Sequence, residues 1–405
     1  MMSRLISSID MTKRHPPASR ELMTADEAAS ALGISRRTLY SYVSRGLIGV
    51  RGKSIGSRGS LYDTADVDLL RERKKRGRSH AAIAASTLRF GEPVLESGLT
   101  NIEQGRFGYR GHDAMMLSEA KALEEVADLL WSMPPPDAAD VDVPAPATTP
   151  DCLDRCINVI SGAVHLGKSD ANPRATRADA TKLMYMVAQA AGGASRWPAA
   201  HHVHEGLART WGVDAAGADL LRRCLILAAD HELSAATYAA RIAASTGASL
   251  GACLLAALCT FSGPFHAGAI NTVRAFLSDR EVLRSPTQWA DRFRKGAESP
   301  RMIAGFGHRL YPDGDPRAAA LLRFVALDPE WQVLAASVRT AIGLLPSFDF
   351  ALVAVERHLR LPPFAATALI ITGRSVGWIA HVLEQRSEKK LIRPRAVYRE
   401  RPTTA

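Results

Sequence analysis

From residue 151 to the C-terminus, apolar residues recur at helical spacing, and no run alternates long enough to build a sizeable sheet. The pattern is clearest in residues 220–229, 238–246, 251–261 and 365–384. A chain patterned this way buries helix against helix, so the expected fold is mostly α. At 405 residues it has room for two or three domains and a large core. Aromatic residues are only 6% of the chain, and alanine and leucine, the strongest helix formers, make up the apolar content instead. There is no internal repeat.

The chain divides by composition. Residues 1–20 read as a disordered arm and residues 21–78 as a compact basic unit. Residues 79–132 are helical and turn segments leading into the main body. Residues 133–151 (MPPPDAADVDVPAPATTPD) read as a Pro/Ala-rich loop, and residues 152–405 as the body itself. The net charge of +10 is uneven. Residues 1–80 hold sixteen Lys and Arg against eight Asp and Glu, a net of +8, which leaves about +2 for the rest. That asymmetry points to a polyanion partner for the N-terminal part, or to a solvated basic tail.

The five cysteines (Cys152, Cys156, Cys224, Cys253, Cys259) are scattered, odd in number and form no Cys-x-x-Cys pair. They predict free thiols in a reducing compartment, the cytoplasm. Residues 1–20 lack the apolar core of a signal peptide. The uncharged run 246–265 carries Ser249, Gly251 and Pro264, and reads as a buried helix rather than a membrane span. No membrane partner is expected.

Within the basic unit, Thr24 can cap a helix, with Glu27 three residues on as a capping box requires. Gly33 permits a left-handed turn. Ser35 can cap a second helix bearing Arg36, Arg37, Tyr40 and Tyr42, with Thr38, Leu39 and Val43 inward. Two short helices joined by a glycine turn can place the second in a major groove. The loop Arg51-Gly52-Lys53-Ser54-Ile55-Gly56-Ser57-Arg58-Gly59 can track phosphates as a wing. Residues 63–68 start another helix. With Ala25, Ala28 and the run from Leu32 to Tyr40, the unit resembles the MerR/excisionase class of winged helix-turn-helix modules. That resemblance implies DNA contact through Ser35, Arg36, Arg37, Tyr40, Arg51, Lys53 and Arg58. The other use of such a module is to bind protein.

Chemistry-bearing residues gather in few places: Ala229-Asp230-His231-Glu232, Gly263-Pro264-Phe265-His266, Gly307-His308-Arg309-Leu310-Tyr311, Asp315-Pro316-Arg317, Phe348-Asp349-Phe350, Gly373-Arg374 and Arg393-Pro394-Arg395. A lone histidine such as His231 is more often a satisfied core residue than a catalyst. His266 and His308 are flanked by glycine or proline, and turns of that kind bring backbone close to a ligand. Asp349 lies between two phenylalanines. An apolar surround would raise its pKa and make it a better base; the residue alone reads rather as a helix N-cap. His201, His202 and His204 have poor spacing for a metal and read as surface, so no metal site is expected.

In order and spacing these segments resemble the citrate synthase family, including 2-methylcitrate synthases, over residues 98–405. The resemblance rests on Gly98-Leu99-Thr100 with Ile102, on Tyr109-Arg110-Gly111, on residues 225–276 and on GRSVGWIAHVLEQRSEKKLIRPRAVY at 373–398. It implies a large and a small helical domain, the small one roughly within 265–375, and a homodimer with sites completed across the interface. It implies oxaloacetate and an acyl-CoA as substrates, with no further cofactor. By position, Asp349 matches the base that removes a methyl proton, His266 the donor to the thioester oxygen, and His308 the group that polarises the ketone. His231, Arg317, Arg374 and, from a partner chain, Arg393 match the oxaloacetate-binding groups. The sequence departs from the family at Ala267, Ile270, Pro312, Ala351 and Leu352. The readings left open are citrate synthesis from acetyl-CoA, 2-methylcitrate synthesis from propionyl-CoA, and a metabolite-sensing DNA-binding regulator.

Overall fold

In a computed structural model, the described residues are 22–44, 48, 50–53, 60–64, 67, 95–103, 105–133, 149–168, 172–194, 197, 202–266, 268–296 and 303–394. The arm 1–20, Arg58 of the wing, most of the 133–151 loop, Ala267 and Arg395 lie outside them. The chain forms two compact units, Met1–Glu96 with Pro394–Ala405, and Ser97–Arg393. The division thus falls inside the 79–132 segment.

In the first unit, β1 (Leu22–Thr24) leads into α1 (Ala25–Leu32). The Thr24 hydroxyl accepts from the Glu27 N–H at 3.4 Å, and the Glu27 carboxylate accepts from the Thr24 N–H at 2.7 Å, closing the expected capping box. Gly33 ends α1 at φ +59°, where a side chain is unfavourable. Ser35 caps α2 (Arg36–Ser44) by accepting from the Thr38 N–H at 3.2 Å. Strands β2 (Val50–Lys53) and β3 (Ser60–Asp63) form an antiparallel hairpin, and β1 adds to β3 to give the order β1-β3-β2. Ala28, Leu32, Leu39, Ile48, Tyr62 and Val67 fill a small separate core. Leu39 and Val43 pack inward as expected. Thr38 is half-buried and bonded to Ser35, and Tyr42 packs on the core.

The second unit opens with the hairpin β4 (Thr100–Glu103) and β5 (Arg106–Tyr109), extended by β6 (His112–Asp113). Helices follow: α3 (Ala114–Ala120), α4 (Leu123–Trp131), α5 (Cys152–Gly162), α6 (Pro173–Gly192), α7 (Val203–Trp211), α8 (Ala215–Ala228), α9 (Ala235–Ser245) and α10 (Leu250–Phe261). Next come α11 (Gly268–Phe276), α12 (Arg280–Arg284), α13 (Pro286–Gly296), α14 (Pro316–Leu322), α15 (Pro329–Ile342), α16 (Phe348–His358) and α17 (Ala365–Glu388). One contiguous apolar core unites them. The uncharged run 246–265 becomes α10, whose twelve residues rise only about 18 Å. Among the described residues, α17 is the one helix long and apolar enough to cross a membrane, and 94% of its apolar window is buried within the fold. It is the axial helix of this unit.

Candidate active site

Two glycines decide where α17 sits. Gly373 and Gly377 lie one turn apart on one face. A Cβ on Gly373 would stand 2.5 Å from the Leu225 carbonyl oxygen. One on Gly377 would stand 2.4 Å from the Ala229 carbonyl oxygen and 2.4 Å from Asp230 Oδ1. Without side chains there, α17 meets the end of α8 backbone to backbone, and the Gly377 N–H donates to the Ala229 oxygen at 2.9 Å. Arg374, on the same stretch, donates from Nε to the Ala228 oxygen at 2.9 Å. The seam therefore fixes Arg374 beside the segment Ala229–Glu232 that carries His231. Tyr109, from the Tyr-Arg-Gly turn, holds the same place by donating its hydroxyl to the Ile226 oxygen at 2.8 Å.

Asp230 is fully buried. Its carboxylate accepts from Thr100 Oγ1 and from the Glu232 N–H, and faces His381 Nε2 at 3.4 Å. Burial works against its ionisation, but His381 and then Arg374 hold its pKa below the ordinary carboxylate value. Arg374 is itself lowered by burial, against the pull of Asp230.

His231 Nε2 meets the Tyr311 hydroxyl at 3.0 Å, and its ring stands edge-on to His308 with centroids 5.2 Å apart. It is half-buried and engaged at the centre of the cluster. Burial, then Arg317 and Arg374, push its pKa well below the ordinary histidine value. His308 Nδ1 accepts from the Leu310 N–H at 3.2 Å. Burial, then Arg317, lower the His308 pKa to about 4. A neutral ring that accepts at Nδ1 carries its proton on Nε2, so His308 offers one N–H donor.

His266 ends the turn that follows α10, its N–H donating to the Gly263 oxygen at 2.9 Å. The ring packs on Phe261 with centroids 4.5 Å apart. Burial, then Arg374, lower its pKa to about 4. Its Nε2 is buried with no hydrogen-bond partner among the described residues. A buried polar atom left without a partner costs about 1–3 kcal/mol, so such an atom in a site calls for an external one.

Asp315 Oδ1 and Oδ2 take Arg317 Nε and Nη2 at 3.0 and 2.8 Å. The guanidinium also lies 4.5 Å from the Phe348 ring centroid and 5.3 Å from that of Tyr311. Burial opposes the Arg317 charge, but Asp315 more than restores it. The same Asp315 carboxylate accepts from the Phe348 N–H at 3.2 Å, at the start of α16.

Asp349 is the second residue of α16. The N-cap is Ser347, which accepts from the Phe350 N–H at 3.5 Å, so the capping reading of Asp349 is replaced. The Asp349 side chain makes no hydrogen bond or ion pair among the described residues. Burial raises its pKa; Arg317 and Arg374 oppose the rise, and Asp315 adds to it. A carboxylate kept basic and unengaged can take a proton from carbon.

The structure thus sets His231 edge-on to His308 and joins it to Tyr311, on whose ring Arg317 also lies; Arg317 reaches His308 and Asp349, and Arg374 reaches His266 and Asp349, through their charges. Arg393 is exposed and engages none of them within this chain. Ile270, Ala351 and Leu352 are buried in helix cores, and Pro312 is exposed. His202 pairs with Glu124 at 3.1 Å and stacks on His204, whose ring is half-buried. Sequence reasoning gave no role to Tyr311, Asp315, Asp230 or His381. All four lay within the quoted segments; His381 lay seven residues beyond Arg374, close to two helical turns, and so on the same side of the helix.

In the first unit, Arg37 and Tyr40 are exposed, Tyr40 by 52%. Arg36 engages Asp26 through both Nε and Nη2. Arg51 and Lys53 lie on β2.

A helix-turn-helix domain family model matches residues 22–75. The model for the C-terminal domain of citrate synthase matches residues 158–395. Citrate synthase of Haloferax volcanii is 35% identical over 192 residues, covering 45% of this chain and 50% of that protein. A 2-methylcitrate synthase of Mycobacterium tuberculosis is 27% identical over 331 residues, 72% of this chain and 84% of that protein. The chain spans about half the length of the first curated relatives it matches. The crystal structure of citrate synthase from Thermotoga maritima superposes with a TM-score of 0.63 at 26% identity, covering 78% of this chain and 96% of that one. With a family model covering more than half its length, this chain belongs to the citrate synthase family.

Proposed function

We propose that the second unit condenses an acyl-CoA with oxaloacetate and water, giving citrate from acetyl-CoA and releasing CoA. The observation that carries this reading is the pairing of two neutral imidazoles with one unengaged, basic carboxylate beside two buried arginines. Arg317, Arg374 and His231 hold the two carboxylates of oxaloacetate, with Arg393 of a second copy completing the set in a homodimer. His308 donates from Nε2 to the ketone oxygen and draws charge from its carbon. Asp349 takes a proton from the acyl methyl group while His266 stabilises the oxygen of the resulting enol. The enol carbon attacks the ketone, and water then cleaves the thioester, releasing CoA as the thiol. A neutral donor suits both oxygens, because a cationic imidazole would bind the substrate carboxylates instead. Residues 265–375 form the smaller lobe, which closes over the substrates and excludes water.

The 2-methylcitrate synthase relative, which aligns over 72% of the chain, favours propionyl-CoA as a second donor at the same site. The thiols support a reducing compartment, the cytoplasm: none of the five forms a disulfide and four are buried. The helix-turn-helix unit binds DNA through Arg37, Tyr40 and the wing, either alongside catalysis or with the second unit as sensor.

A thiol-release assay with oxaloacetate and either acetyl- or propionyl-CoA tests the reaction. Asp349→Asn is expected to lower the rate about a hundred- to ten-thousand-fold. A wild-type rate equal to that of the variant removes the enzyme reading and leaves the sensor. For DNA, binding affinity on genomic fragments is expected to fall steeply with salt; a flat response removes phosphate contact.

A further inference from the structure

A cavity of about 580 Å³ opens among α12, α15, α16 and the turn after α11. It is separate from every residue of the candidate active site. Its floor is apolar: Leu277, Leu283 and Trp331. The Trp331 ring is fixed, because Nε1 donates to the Leu277 oxygen at 2.9 Å and the residue is 4% exposed. Its walls carry three guanidinium groups, Arg280, Arg284 and Arg357, with one carboxylate, Glu330, in the lining and a second, Asp328, paired to Arg357.

The three arginines differ in how they are held. Arg357 is preorganised, paired with Asp328 and lying 5.2 Å over the Trp331 ring. Arg280 and Arg284 stand four residues apart on the five-residue α12. Like charges at that spacing repel and destabilise a helix. Neither makes an ion pair or hydrogen bond among the described residues. Two uncompensated cations at the cost of helix stability, facing a cavity with a third, is an arrangement that an anion relieves. Arginine forks match phosphate oxygens in pairs. The cavity's size suits a small organic ligand.

We propose that this cavity binds a small phosphate-bearing molecule with a flat or apolar body, its phosphates on Arg280, Arg284 and Arg357 and its body on the Leu277–Leu283–Trp331 floor. The site stands independently of the condensation reaction.

The test uses the full chain with oxaloacetate and CoA saturating, so that the candidate active site is occupied. Calorimetric titrations compare ATP, tripolyphosphate and adenosine. ATP is expected to bind, tripolyphosphate more weakly and adenosine not at all. The exposed double variant R280A/R284A is expected to weaken ATP at least about tenfold, with R280K/R284K in between. Quenching of Trp331 fluorescence should track the calorimetry in the wild type. ATP binding left unchanged by R280A/R284A places the nucleotide elsewhere on the chain and overturns the proposal. So does the failure of all three probes to bind at millimolar concentration. Tripolyphosphate binding as tightly as ATP overturns the role of the apolar floor.

Discussion

Replacing Gly377 by alanine is the sharpest probe of how the site is held. In an unconstrained helix interior, Gly→Ala stabilises by about 1 kcal/mol, because glycine is a poor helix former. Here the new Cβ would lie 2.4 Å from the Ala229 carbonyl oxygen and 2.4 Å from Asp230 Oδ1. Close carbon–oxygen contacts begin near ~3.3 Å, so α17 and the end of α8 must separate by about 0.9 Å. Neither obstacle can rotate away: one is backbone, and the other is a fully buried carboxylate held by Thr100 and the Glu232 N–H. Overpacking of this kind costs roughly 1–3 kcal/mol. With a rigid obstacle the upper figure applies, leaving a net loss of about 2 kcal/mol after the propensity gain. The shift also carries Arg374 away from the Ala228 oxygen, so KM for oxaloacetate should rise together with the loss of stability. The assay is denaturant unfolding followed by circular dichroism, alongside steady-state kinetics. Gly162→Ala is the control: nothing lies within 4 Å of a Cβ there, and no loss is expected. A Gly377→Ala protein as stable as the wild type, with unchanged KM, would refute the claim that this seam sets the position of Arg374.

Three further outcomes follow from the same geometry. His266 and His308 titrate near 4 in the folded chain against 6.5 for an ordinary histidine, so the unfolded chain binds more protons between those values. Stability should therefore be full above about pH 6.5 and fall as the pH drops towards 4; a His266→Gln/His308→Gln double variant showing the same slope of denaturation midpoint against pH would rule this out. Arg241 is fully buried between Glu384 and Glu388, so Arg241→Met should cost about 3–5 kcal/mol in urea unfolding, and a loss below about 1 kcal/mol would mean the pair is dispensable. In DNA titrations, Arg37→Ala should flatten the salt dependence by about one counterion while Arg36→Ala leaves it intact, since Asp26 already neutralises Arg36; equal effects would contradict that pairing.

Local signals in the sequence reported local structure well. Thr24 with Glu27, Gly33 and Ser35 are each read by neighbours within a few residues, and all three did in the fold what their types require. The long apolar pattern near the C-terminus ran as α17, four residues past the expected end at 384. What stayed hidden was pairing at a distance. Asp230 meets Thr100 across 130 positions and His381 across 151, and no periodicity encodes such contacts. Taken alone, Asp349 looked more like a cap than a base, because a carboxylate at a helix start commonly caps it; Ser347, two residues upstream, takes the cap instead. The pairing of Arg36 with Asp26 was equally out of reach, since an exposed arginine at the start of α2 looks free until α1 is placed.

Asp315 fastens two helices together. A single carboxylate clasps the Arg317 guanidinium, caps α14 through the Arg317 N–H and takes the first N–H of α16. The two helices are thereby riveted at one point, so a displacement of either drags the other. The gap between the cation on the first and the carboxylate of Asp349 on the second then stays constant through any swing of this part of the chain. Losing Asp315 would unfasten three things at once, and the resulting defect could not be apportioned to any one of them without double-mutant cycles.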